Sequence, residues 1–270
     1  MSKLQGVADT LYLPLAARIY VSERFPEFFY DAKALSLKGH MPYEDIISRS
    51  SEYFEMAGAC RFYNTDGMIR DFIAGHERSN IINLGCGFET SYFRIQPDPG
   101  KAVFYEMDLP EVIASRKKVL GDAPNEVLIG GDMFDFRWAE GIDTTLPTLI
   151  TVIGVFQYFE EEKVRGFLKQ AANTFTDAGI IFDAMTHKAL KFANAYVKRT
   201  GNKNALMHFG IDNAPAFAAS VDLPLLEERP IFKEARTRLK RKLNLITRIS
   251  MKIADEGSRR GFLLRMGDGS

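Results

Sequence analysis

From Ile81 onward the chain alternates between two kinds of segment. Short runs rich in β-branched and aromatic residues lie at 81–84 (IINL), 102–107 (AVFYEM), 126–130 (EVLIG), 147–155 (PTLITVIGV) and 179–184 (GIIFDA). Stretches with helical spacing fill the gaps. One begins near Pro110, and another near Glu160 places Val164, Phe167, Leu168 and Ala171 on one face. Strand–helix–strand repetition of this kind predicts an α/β fold, a doubly wound and mostly parallel sheet covered by helices on both faces. Later the pattern changes. Residues 188–200 read as a helix, and 224–232 and 261–266 as late strands. Between those strands, Leu239, Leu243, Ile246, Ile249 and Ile253 recur at helical spacing in a basic stretch. The expectation is one helix with a buried face and a solvated cationic face; a role at a membrane surface or against an acidic partner is the alternative.

The first sixty residues differ. They are aromatic-rich and lack strand alternation, as in ERFPEFFYDAKALSLKGHMPYED. They read as short helices and loops over the carboxyl edge of the sheet, either a lid or a stabilising extension. The expected division is a helical N-terminal cover at 1–60 and the sheet domain at 61–270. Formal neutrality gives no reason to expect a nucleic-acid partner. Two cysteines, Cys60 and Cys86, form no paired motif, which argues against a disulfide scaffold or structural zinc and fits a reducing cytoplasm. No metal is expected. No stretch approaches the ~18–20 apolar residues that span a bilayer, and no targeting signal is evident.

The turn after the first strand, in NIINLGCGFETSYFR, focuses the question of function. In a doubly wound sheet, ligands sit outside the carboxyl ends of the strands. Gly85 and Gly87 allow a tight turn and a close approach. A dinucleotide site usually has a third glycine, where this chain has Thr90, and Glu89 is poorly placed beside a pyrophosphate. A sulfonium ligand tolerates a carboxylate better. A tight strand–helix turn without a ligand is the competing reading. After the second strand come Glu106 and Asp108, where a carboxylate can accept both hydroxyls of a ribose. After the third come Asp132 and Met133, a carboxylate and a thioether suited to an adenine. Together these turns describe an adenosine cradle without a pyrophosphate grip.

These residues also carry a resemblance. NLGCGFETSYFR, EMDLPEVIASRK, GGDMFDF and GVFQYFEEEKV make the chain similar, over about residues 6–266, to the leucine carboxyl methyltransferase family, which includes polyketide-type O-methyltransferases. The resemblance implies a fold of the class I type, dependent on S-adenosyl-L-methionine (SAM), with a helical N-terminal cover. It implies that Arg61 reaches the cofactor's methionyl carboxylate, that Gly85 and Gly87 pass beneath the cofactor, that Asp108 holds the ribose, and that Asp132 and Met133 frame the adenine. There are departures. Glu89 stands where the family usually has aspartate, Ile153 where many members carry glutamate, and Ala17 beside Arg18 where protein-methylating members have lysine.

Methyl transfer is an in-line displacement in which positioning and water exclusion supply much of the rate. A carboxylate acceptor needs no base, whereas a hydroxyl must lose its proton. Tyr158 and Asp183 are the candidate catalytic residues. His187 and His208 are weighed beside them and read as ordinary polar residues, Arg94 as a structural ion pair, and Cys86 as a small buried residue. The expected function is O-methylation of a carboxylate or hydroxyl on a small molecule. A protein C-terminal carboxyl methyltransferase and a non-catalytic SAM-binding protein are the alternatives, the second favoured by Ile153. A nicotinamide dehydrogenase is disfavoured by Thr90.

Overall fold

The computed structural model describes residues 4–199 and 206–267. Seven strands form one sheet: β1 (Ser79–Leu84), β2 (Ala102–Asp108), β3 (Glu126–Gly130), β4 (Thr148–Val152), β5 (Ala178–Met185), β6 (Leu225–Pro230) and β7 (Gly261–Gly267), in the order β3-β2-β1-β4-β5-β7-β6. β1 to β5 run parallel, and β7 is antiparallel to both β5 and β6. The chain winds outward from β1 to β3 and then returns to β4 on the other side. The reversal of strand order therefore falls between β1 and β4, where open α/β sheets bind ligands. Every residue of β1 and β4 is buried, which is why both read as continuous runs rather than alternating ones.

The helices follow from pattern and caps. α6 (Pro110–Leu120) starts with proline in its first turn, where the missing N–H costs nothing, and carries Glu111 in its first turn and Lys117 and Lys118 in its last. α7 (Glu161–Thr174) buries Val164, Phe167, Leu168 and Ala171 as expected. Phe156, Phe167, Phe182, Phe209 and Phe217 pack edge to face in the core beside β5. α8 (His187–Arg199) and α9 (Ala214–Ser220) follow β5.

Three elements depart from expectation. The N-terminal region opens with a long helix, α1 (Leu4–Arg24), which runs through Pro14. Burial of Leu15, Ala16 and Ile19 against the region formed by α2 (Ala32–Ser36) and α3 (Tyr43–Ser48) holds it despite the lost hydrogen bond. α4 (Glu52–Gly75) begins well before Arg61, which therefore sits mid-helix. The expected division at 60/61 falls inside this helix. A further short helix, α5 (Ser91–Ile95), follows the glycine turn.

The third departure is in the basic stretch. It forms two helices, α10 (Lys233–Arg238) and α11 (Leu245–Glu256), the second capped by the Asn244 side chain accepting from the Thr247 N–H. Leu239 and Leu243 are buried, but the new cap resets the phase. α11 buries Thr247, Met251, Ala254 and Asp255 and leaves Ile246, Ile249 and Ile253 exposed at 78%, 52% and 50%. Met251→Ala should therefore cost about 2–5 kcal/mol, whereas Ile249→Ala should stay within about 0.5 kcal/mol of the parent. Urea denaturation of the two variants checks this; equal losses would mean that the helix is phased the other way.

Candidate functional site

A cavity of about 270 Å³ opens at the carboxyl ends of β1 and β4, below the ~300–1,000 Å³ usual for small-molecule sites. Its floor is the glycine turn, its far wall the segment 153–158 after β4, and its roof is partly α1, through Leu11, Leu13 and Pro14. Beneath the turn, Asn83 donates to Ser91 Oγ (3.1 Å) and to Glu106 Oε1 (2.7 Å), and the Thr151 hydroxyl donates to Asn83 Oδ1 (2.5 Å). These bonds tie β1, β2 and β4 together under the site.

Both glycines are left-handed, Gly85 at φ +65° and Gly87 at φ +48°. A β-carbon on Gly85 would lie 2.4 Å from Val155 Cγ2, and one on Gly87 2.9 Å from Leu11 Cδ2. Glycine is thus required here by backbone conformation and by the residues packed over the turn, before any ligand is considered. Arg116, wholly buried, donates to the Gly87 carbonyl (3.1 Å) and the Glu89 carbonyl (2.6 Å) and fixes the turn from the β2–β3 side.

Arg61 reaches the cavity from α4. Its Nη1 donates to Asp183 Oδ2 at 2.7 Å, while the other oxygen, Oδ1, accepts from the Gly154 N–H at 2.6 Å. Both carboxylate oxygens of Asp183 are thus engaged by donors. The buried Nε of Arg61 has no hydrogen-bond partner among the described residues. Tyr158, part of a 3₁₀ turn after β4, lines the cavity and is 40% exposed. Arg61, Gly85, Gly87 and Tyr158 therefore converge on one cavity, and Asp183 adjoins it through Arg61.

Asp108, Asp132 and Met133 do not line that cavity. Asp108 stands beside the turn: its Oδ2 accepts from the Gly87 N–H (2.8 Å) and its Oδ1 from the Leu109 N–H (2.7 Å). Asp132 is exposed and accepts from the Phe134 N–H. Met133 is buried in the main core, where its carbonyl accepts from the Trp138 indole. The histidines lie outside too. His187 pairs with Asp212 and His208 with Glu160, each at 3.1 Å. Cys86 is buried, and burial pushes its thiol far up, as suits an inert side chain.

Glu89 lines the cavity but is already ion-paired. It accepts from Arg18 Nη1 (2.7 Å) and Arg94 Nη2 (2.6 Å) in a buried network that also holds Asp31 and Asp66. Arg94 forks onto Asp66 (2.7 and 2.8 Å) and reaches Asp31 Oδ2 (2.9 Å), where the Thr90 hydroxyl also donates (2.5 Å). Arg94 is thus the ion-paired residue that the sequence suggested. Burial works to raise the Asp31 and Glu89 carboxyls, but the two guanidiniums overcome it and hold both below the usual range. At Asp66 burial prevails over Arg94, and the carboxyl is raised. Sequence reasoning did not single out Arg116, Asp31 or Asp66. Only the run DLPEVIASRK, which places Arg116 six residues after Pro110, offered a signal, and nothing local marked the other two.

Comparison with known proteins places this geometry. The family description "Leucine carboxyl methyltransferase" matches residues 14–172. The chain is 23% identical over 219 residues to tetracenomycin polyketide synthesis O-methyltransferase TcmP of Streptomyces glaucescens, covering 81% of this chain and 80% of that one. Its fold resembles that of a DUF574 family protein from Streptomyces avermitilis, at TM-score 0.60 and 13% identity over 94% and 97% of the two chains. It also resembles magnesium protoporphyrin IX methyltransferase (ChlM) from Synechocystis with bound SAH, at TM-score 0.50 and 9% identity over 92% and 97%.

The bonds beneath the turn carry a pH dependence. Glu106 is fully buried; burial raises its carboxyl, Arg116 opposes, Glu126 adds to the rise, and the group ends at about 7 against 4.5 in the ordinary case. The folded state thus holds this proton more tightly than the unfolded chain. The associated stability is complete below pH 4.5 and drains away as pH rises through about 7. Glu106→Gln cannot ionise. Its stability relative to the parent should therefore improve from pH 5 to pH 8 by on the order of 1 kcal/mol or more. Thermal melts of both proteins at the two pH values measure the difference, and a constant gap would show that Glu106 stays ionised throughout.

Proposed function

Because this chain belongs to the leucine carboxyl methyltransferase family, whose members depend on SAM, we propose that it methylates an oxygen of a small molecule, either a carboxylate or a hydroxyl. The observation that carries this reading is Arg61, a cavity-lining guanidinium with a buried Nε left unpartnered beside the glycine turn. A guanidinium held on one side by Asp183 and free on the other suits a ligand carboxylate. The likeness to TcmP supports oxygen as the acceptor atom.

When bound, SAM supplies an electrophilic methyl group at its sulfonium. The chain's own residues then bind and orient. Arg61 holds the methionyl carboxylate, and Gly85 and Gly87 let the backbone pass beneath it. Asp108 keeps lone pairs beyond its two backbone bonds with which to accept the ribose hydroxyls. Asp132, beyond the cavity, would take part in holding the adenine. Met133 frames the adenine from the core side. The arginine network holds α1 over the methionyl end and excludes water there.

Asp183 positions Arg61, with one oxygen on its guanidinium and the other on the Gly154 N–H. Tyr158 orients the acceptor. The acceptor oxygen is one that arrives ionised, a carboxylate or an acidic phenol, which needs no base. α1 acts as part of the cover of this site, through Leu11, Leu13, Pro14 and Arg18. Two buried free thiols fit action in the reducing cytoplasm.

Isotope-labelled SAM incubated with a metabolite extract tests the reaction. Label moving into the small-molecule fraction supports it; release by base marks a methyl ester, and resistance to base an ether. Label in the protein fraction would favour the protein carboxyl methyltransferase, and binding without transfer the non-catalytic reading. Arg61→Lys should keep part of the SAM affinity. Arg61→Ala should lose roughly tenfold or more, with adenosine affinity little changed, since each charge-assisted bond is worth about 1.5–3 kcal/mol. Asp183→Asn should raise the SAM dissociation constant and leave the shape of the kcat–pH profile intact. A lost pH limb would make Asp183 a base, and titration calorimetry showing unchanged affinity in Arg61→Ala would remove Arg61 from the cofactor.

A further inference from the structure

The exposed face of α11 has no part in the site. Ile246, Ile249 and Ile253 fall within an arc of about 60° on this helix, and Leu245, also exposed, extends the stripe at its N-terminal end. The opposite face is anchored in the cluster beneath the cover through Met251 and Ala254, so the stripe is held outward by packing on its far side. Arg248 and Lys252 stand one turn apart along one flank. Immediately before the helix, Lys240 and Arg241 are exposed, and like Arg248 they make no ion pair among the described residues. Just past its end, Arg259 stacks over the exposed ring of Phe192 at 4.5 Å.

The charge here is local. Residues 233–260 contain ten Lys and Arg against three Asp and Glu, in a chain that is formally neutral. Two of those three acids, Asp255 and Glu256, are already taken by Arg236. Glu27 pairs with Lys242 and Glu256 also reaches Lys252, so the surface combines a row of apolar side chains with a border on which Lys240, Arg241 and Arg248 stay unpaired among the described residues. Single apolar residues on a surface need no explanation, but an ordered row on one helix, bordered by one sign of charge, does.

We propose that α11 is an interfacial helix that seats the protein on an anionic lipid surface. It lies flat, with the isoleucines in the headgroup–acyl boundary and the lysines and arginines on the lipid phosphates. Twelve residues give a contact about 18 Å long, enough to lie on a bilayer and too short to cross one. No helix among the described residues is long and apolar enough to span a membrane. Charge decides against a second copy of the chain. In a two-fold pairing the same patch meets itself, which would set this cationic border against its own image. An anionic surface removes that repulsion.

Co-sedimentation of the full chain with vesicles tests the proposal, comparing phosphatidylcholine alone with phosphatidylcholine mixed with phosphatidylglycerol. The protein should sediment with the mixed vesicles, and less so as salt is raised. The pair Ile249→Asn and Ile253→Asn should reduce partitioning roughly tenfold or more while leaving the melting temperature near that of the parent, because both side chains are about half exposed and lie off the buried face. The pair Lys240→Glu and Arg241→Glu should abolish the preference for phosphatidylglycerol. Failure to sediment with mixed vesicles at low salt would overturn the proposal, as would undiminished partitioning of the isoleucine pair. A concentration-dependent dimer seen by light scattering, and lost in that pair, would overturn it in favour of self-association.

Discussion

Two arginines and three carboxylates buried together, Arg18 and Arg94 with Asp31, Asp66 and Glu89, are the constraint on which the site depends. They come from five places: α1, the start of α2, α4, the glycine turn and α5. Removing such charges from water is costly, and their mutual attraction offsets that cost only where geometry and hydrogen bonds are nearly complete. Here they are. Asp31 also caps α2 through the Ala34 N–H, and Arg18 Nη2 reaches the Phe88 carbonyl. A slip of any one element would strand a buried charge. The network therefore fixes one placement of the helical cover over the turn, whatever its net contribution to stability.

Its position explains how cover and sheet make one cavity. Arg18, Asp66, Glu89 and Arg94 all line the pocket wall, so the residues that dock the cover also bound the space for the ligand. With two positive and three negative groups, the cluster leaves a bias toward cations beside a cavity whose other wall carries Arg61. The proposed methionyl site rests on the spare hydrogen-bonding capacity of Arg61, whose charge Asp183 already balances. The departure at Glu89 also becomes intelligible. The longer carboxylate reaches two arginines at once and belongs to the docking of the cover.

The sheet was legible because its strands are buried, β-branched and regularly punctuated, so continuous apolar runs at 81–84, 147–155 and 179–184 could belong to little else. The glycine turn was legible because its spacing has a mechanism. What failed was helix phase and extent. The start of α4 was hidden although Ser51 caps it and Glu52 and Glu55 fill its first turn; the aromatic run around it drew attention to packing instead. The five-residue apolar repeat from Leu239 to Ile253 spans a break at Asn244, and an even period carried across a cap assigns the wrong face. Arg116, Asp31 and Asp66 were not legible, because their importance comes from partners 27, 63 and 28 residues away in sequence that only the fold brings together.

The central claim is that the cover and the glycine turn form one unit around the cofactor. Amide hydrogen exchange with and without S-adenosylhomocysteine measures this most directly. Added ligand should slow exchange together in residues 14–36, at 85–94 and in the middle of α4. Protection confined to the glycine turn, with α1 and α2 exchanging as in the free protein, would contradict it.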